Sequence, residues 1–120
     1  MPLFAKIMDL ITELQEWYHS QCDGDWEHTY GIMIGNIDNP GWEVKIDLRE
    51  TELENVDFPE VSYGVGDQAK SSGDDWMICR RVECQFDGCG GPHKLNEILE
   101  VFLKWARENS QCEQAASSNH

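Results

Sequence analysis

Positive charge is scarce in this chain of 120 residues: nine Lys and Arg stand against 23 Asp and Glu, a net charge of −14. A surface of that sign repels phosphate backbones and anionic lipid, so direct binding of nucleic acid or of a membrane drops out of the expected functions and basic partners rise. Long apolar runs are missing too. No stretch approaches the roughly 18 uninterrupted apolar residues that a membrane span needs. The opening Met-Pro-Leu-Phe-Ala-Lys-Ile-Met-Asp is broken by Lys6 and Asp9, and no small-residue cleavage site follows, which argues against a secretory signal. The five cysteines (Cys22, Cys79, Cys84, Cys89 and Cys112) are an odd set without framework spacing. With no export signal, reduced thiols in a cytoplasm are the simplest account. Internal repeats, a P-loop, G-x-S-x-G and G-x-G-x-x-G are also absent, which removes the commonest nucleotide and hydrolase signatures.

What is present is enough for one core. Apolar residues make up 40% of the chain, with five Trp, four Phe and three Tyr, and a domain of this length buries roughly 65% of its unfolded surface. Residues 3 to 21 have a helical period, with Leu3, Phe4, Ile7, Leu10, Ile11, Leu14, Trp17 and Tyr18 recurring at steps of three and four. Pro2 suits the first turn, and Cys22-Asp23-Gly24-Asp25 supplies the stop. From Trp26 the period changes to two, through Tyr30, Ile32 and Ile34. Trp42 to Arg49 alternates cleanly, and Asp38-Asn39-Pro40-Gly41 between the two segments predicts a hairpin turn. Residues 50 to 75 are harder to read: Thr51, Leu53, Phe58, Val61, Tyr63 and Val65 supply apolar positions for one short strand, and Pro59 suggests an edge or a bend. Trp76 to Val82 and Gln85 to Cys89 read as a second hairpin turning near Glu83-Cys84. A closing helix spans Lys94 to Asn109, with Leu95, Ile98, Leu99, Phe102, Trp105 and Ala106 on one face. The expected fold class is α+β, an antiparallel sheet of four to five strands flanked by an N-terminal and a C-terminal amphipathic helix in two layers. Residues 1–109 are expected to form the single domain and residues 110–120 a disordered polar tail.

Candidate chemistry is sparse. Cys79, Cys84, Cys89 and His93 crowd together, but structural zinc is usually announced by C-x2-4-C pairs, and steps of five put neighbours on opposite faces of a strand. Ordinary thiols are the favoured reading, with a zinc-stabilised module as the alternative. Cys22 and His28 lack the third orienting group and oxyanion site that a nucleophile requires. The densest feature is Cys22-Asp23-Gly24-Asp25-Trp26-Glu27-His28. Its carboxylates suit three roles: Ca²⁺ ligands without a complete EF-hand loop, caps on backbone amides with Trp26 in the core, or a ring around an aromatic anchor that awaits Arg or Lys from a partner.

Several segments resemble one family. Leu14-Gln15-Glu16-Trp17-Tyr18, Cys22 to His28, Tyr30-Gly31-Ile32, Asp38 to Trp42 and Ile46-Asp47-Leu48 are similar to the immunity protein 53 family. So are Asp75-Trp76, Cys79, Gly90-Gly91-Pro92 and Leu95 to Leu99 with Phe102 and Trp105. The resemblance spans roughly residues 10 to 107. It implies a small bacterial cytoplasmic protein, encoded beside a polymorphic toxin, that binds and blocks the cognate toxin domain without being an enzyme and without cofactors. Resemblance and charge together lead to the expectation of a basic toxin such as a nuclease. The expected toxin-facing residues are Asp23, Asp25, Trp26 and Glu27, with Glu43, Asp47 and Glu50 as outward strand residues. A general acidic interaction domain is the competing class.

Overall fold

The computed structural model describes residues 9–65 and 73–118, with side chains described as far as residue 109. Helix α1 runs Leu10–Gln21. Asp9 starts it by accepting the Thr12 N–H at 2.7 Å, which satisfies one of the donors that a first helical turn leaves open. It ends at Cys22, where the stop was expected. The expected helical stretch before residue 9 lies outside the described residues. A one-turn helix α2, Trp26–Thr29, then replaces the anticipated start of a strand. Four residues are too few for a helical period to register in the sequence.

Five strands follow: β1 Ile32–Ile37, β2 Gly41–Asp47, β3 Val61–Tyr63, β4 Met77–Val82 and β5 Gln85–Gly90. They form one fully antiparallel sheet in the order β1-β2-β5-β4-β3. Both hairpins stand where alternation placed them, and of the two readings open for Pro59 the edge is the one found: β3 is a three-residue edge strand at the C-terminal end of the stretch in which a strand was expected. Helix α3, Leu95–Ser118, runs past the expected end at Asn109. Ser110 to Ser118 contains no Gly or Pro, and its Gln, Glu and Ala residues are compatible with continuing a helix already nucleated.

α3 lies across β2, β5 and β4 and packs against α1, so the helices form one layer and the sheet the other. Val44, Ile46, Met77, Cys79 and Phe86 point from the sheet into the interface and meet Ile98, Leu99, Phe102, Leu103 and Trp105 of α3. Gly88 lets the layers close: a Cβ there would sit 2.6 Å from Cγ2 of Ile98. Aromatic rings run through the core as a chain of near-perpendicular contacts. Trp17 meets Phe102 at 5.1 Å, Phe58 meets Phe86 at 5.4 Å, and Phe58 meets Trp105 at 5.0 Å. Each such pair adds about 1 kcal/mol beyond the area it buries.

Candidate binding surface

The acidic loop between α1 and α2 is built by its own carboxylates. Asp23 Oδ1 accepts the N–H groups of Asp25 and Trp26, both at 2.9 Å, and these bonds hold its carboxyl below the usual range. The Glu27 carboxylate reaches back to the N–H groups of Asp23 (3.0 Å) and Gly24 (2.9 Å). The pair caps α2 from both directions, in the manner of a capping box. Asp25 is exposed and makes no cap. Trp26 is buried, 1% exposed, and its indole N–H donates to the Arg49 carbonyl at 2.9 Å. A ring so enclosed offers no anchor to a docking protein, so Trp26 belongs to the core and leaves the expected outward set. Of the three roles open to this loop, capping is the one its hydrogen bonds perform.

The segment from Leu48 to Asp57 lies beside it and carries no strand. Three buried or half-buried indoles hold it: Trp26 through Arg49 O, Trp17 through the Glu52 carboxylate at 2.8 Å, and Trp105 through Asp57 O at 3.0 Å. Arg81, reaching over from β4, donates to the carbonyls of Leu53 (3.0 Å), Val56 (2.8 Å) and Glu54. Leu53, fully buried, pins the middle. The chain is thereby fixed without ladder bonds, with Glu50 and Asp57 exposed and Glu54 half-exposed. Glu50 has a φ of 59°, a left-handed conformation that costs a residue with a Cβ about 1 kcal/mol. The expectation from sequence included Glu50 and omitted Glu54 and Asp57. The available signal was the absence of any Lys or Arg between Arg49 and Lys70.

The remaining expected residues divide. Asp47, at the end of β2, accepts the Gly31 N–H at 2.9 Å and lies at the same end of the sheet as the two acidic segments. Glu43 is four residues up the strand, about 13 Å away at strand rise, on the sheet face opposite the helices. That open face is nearly neutral, because its register aligns Lys45, Asp87 and Arg80 across β2, β5 and β4. The end of the molecule near Asp47 presents Asp25, Glu50 and Glu54 together with the caps Asp23 and Glu27. Arg49 is exposed there, and Arg81 is engaged by carbonyls.

The cysteines are dispersed. Register places Cys79 opposite Gly88 and Cys89 opposite Ile78, so Cys79 faces the core and Cys89 the open side. Cys84 sits in the β4–β5 turn against Arg81. Burial pushes the Cys79 thiol up to about 12, and burial with Asp87 also raises Cys89. Among the described residues no group of three His, Cys, Asp or Glu is placed to hold a metal ion.

The model of the family described as immunity protein 53 matches residues 11–107, most of the chain. The chain belongs to the immunity protein 53 family. Membership implies an immunity protein with a cognate toxin protein as its partner. No curated protein and no solved structure matches it. For an immunity protein 53 member, the acidic end is the surface to weigh against that partner. Among the described residues no helix is long and apolar enough to cross a membrane.

Proposed function

We propose that this chain binds and neutralises a cognate bacterial toxin domain in the cytoplasm, by occupying it rather than by catalysis, and that the toxin's contact surface is basic. The observation that carries the charge half of this reading is the acidic end. Carboxylates there are presented by backbone already fixed by Trp17, Trp26, Trp105 and Arg81, so little ordering entropy is lost on docking. Net charge of −14 accelerates encounter with a cationic protein, and nuclease clefts are cationic because they bind phosphate.

The test is co-expression with the toxin domain encoded by the neighbouring gene, scoring growth and then co-elution at about 0.5 M salt, where the Debye length is only a few ångströms. Rescue with salt-resistant co-elution is the expected result. The variant Asp25→Asn, Glu50→Gln, Glu54→Gln removes charge without touching the caps, and is expected to bind at least about tenfold more weakly at low salt. Unchanged affinity in a folded variant removes the acidic end from the interface. Association abolished by moderate salt would instead indicate a general acidic interaction domain.

A further inference from the structure

The edge strand β1 has none of the devices that usually keep a sheet edge from pairing. It is six residues long, Ile32-Met33-Ile34-Gly35-Asn36-Ile37, with no Lys, no other charge and no Pro. The opposite edge, β3, is only three residues long. The Asp47 N–H donates to Gly31 O, which fixes the phase of the β1–β2 ladder. With the register Met33–Lys45 and Gly35–Glu43, the antiparallel pattern turns the N–H and C=O groups of Ile32, Ile34 and Asn36 away from β2. Met33 is 58% exposed and Ile34 39%.

Beside this edge, α1 leaves an apolar trough. A groove of about 410 Å³ runs between Leu14, Gln15 and Tyr18 of the helix and Tyr30, Gly31 and Ile32 at the entry to β1. Ile11, 52% exposed, and Tyr18, 39% exposed, stand on the same outward stripe of α1. Ile32 and Ile34 are opposite the buried Ile46 and Val44, so both face the helix layer, and Ile32 lines the trough. A strand added to β1 would therefore find backbone partners and, on alternate side chains, an apolar seat.

We infer that β1 is the strand to which the toxin domain adds an extended segment, an inference that rests on the immunity reading. Charge selects this occupant over a second copy. Self-pairing would bring two chains of −14 edge to edge, whereas β1 is uncharged in its length and has Asp38 beyond one end and Asp47 beside the other. The segment that fits is extended, apolar at alternate positions facing α1, and terminated by Lys or Arg.

The test uses the full chain and the toxin domain encoded by the neighbouring gene. Ile34→Pro deletes an N–H that β2 does not use, Ile34→Lys adds the missing edge charge, and Val61→Lys places the same charge on β3. Circular dichroism and a cooperative thermal transition establish that each is folded. The expected result is at least about tenfold weaker binding for both Ile34 variants and unchanged binding for Val61→Lys, a loss of the size that unmade backbone bonds produce. The Ile34 amide should exchange more slowly with solvent in the complex. Unaltered binding by both Ile34 variants overturns the edge assignment and leaves the immunity reading standing. No protection and no binding by the unaltered chain overturns the immunity reading and the toxin segment with it. A dimer of the free chain that Ile34→Lys splits gives the edge to a second copy and overturns the assignment.

Discussion

Asp23 shows how one carboxylate settles a local conformation. The Trp26 and Asp25 N–H groups hold its carboxyl below the ordinary value of 3.8. A group depressed in the folded state binds its proton at higher pH in the unfolded chain. Its stabilisation is therefore present above about 3.8 and lost as pH falls through the lower folded value. Asp9 acts in the same direction through Thr12. Thermal unfolding followed from pH 6 down to pH 3 should show the wild-type midpoint falling more steeply below pH 4 than that of Asp23→Asn, which keeps an oxygen for the cap but no titration. Parallel curves would remove Asp23 from the acid response. The same residue scale explains why Trp26 was ambiguous in the sequence. An indole among carboxylates has the composition of an interface anchor and of a capped core residue alike. Only the Arg49 carbonyl, 23 residues on, distinguishes them.

Elements were legible where their order is local. α1, both hairpins and the start of α3 follow from period, turn chemistry and alternation, signals contained within a few residues. The segment from Leu48 to Asp57 has no such signal, because its partners come from α1, α2, β4 and α3. Local turn bonds at Thr51 shape it, but distant side chains anchor it, and Glu54 and Asp57 were hidden for that reason. Arg81 should be its most sensitive support. Lys carries the charge but cannot fork onto three carbonyls, so Arg81→Lys is expected to cost about 1–3 kcal/mol, the range for losing charge-assisted bonds. Denaturant unfolding measures the loss, and hydrogen exchange should localise the loosening to residues 49–57. An unchanged exchange pattern there would mean that the indoles suffice.

At the scale of the whole molecule, charge acts on the approach to a partner more than on the fold. The ion pairs in the described residues are few, such as Lys94 with Asp75 at 2.7 Å and Arg107 with Glu13 at 2.5 Å, and exposed pairs of this kind contribute little. The core carries stability, and the excess acid remains available for long-range attraction. The association rate with a basic toxin domain should fall by about tenfold or more between 0.05 and 0.5 M salt, while the dissociation rate changes much less. Stopped-flow mixing separates the two. A salt effect confined to dissociation would contradict the steering argument.

The supports of the Leu48–Asp57 segment have a further consequence. With the exception of Glu52, they grip main-chain carbonyls: those of Arg49, Leu53, Glu54, Val56 and Asp57. Main-chain groups are common to all residue types, so the outward side chains at 54 and 57 are free to mutate while the scaffold beneath them persists, and position 50 can change among residues that accept its left-handed backbone. On the toxin-binding reading proposed above, recognition at these sites can be rewritten without refounding the architecture.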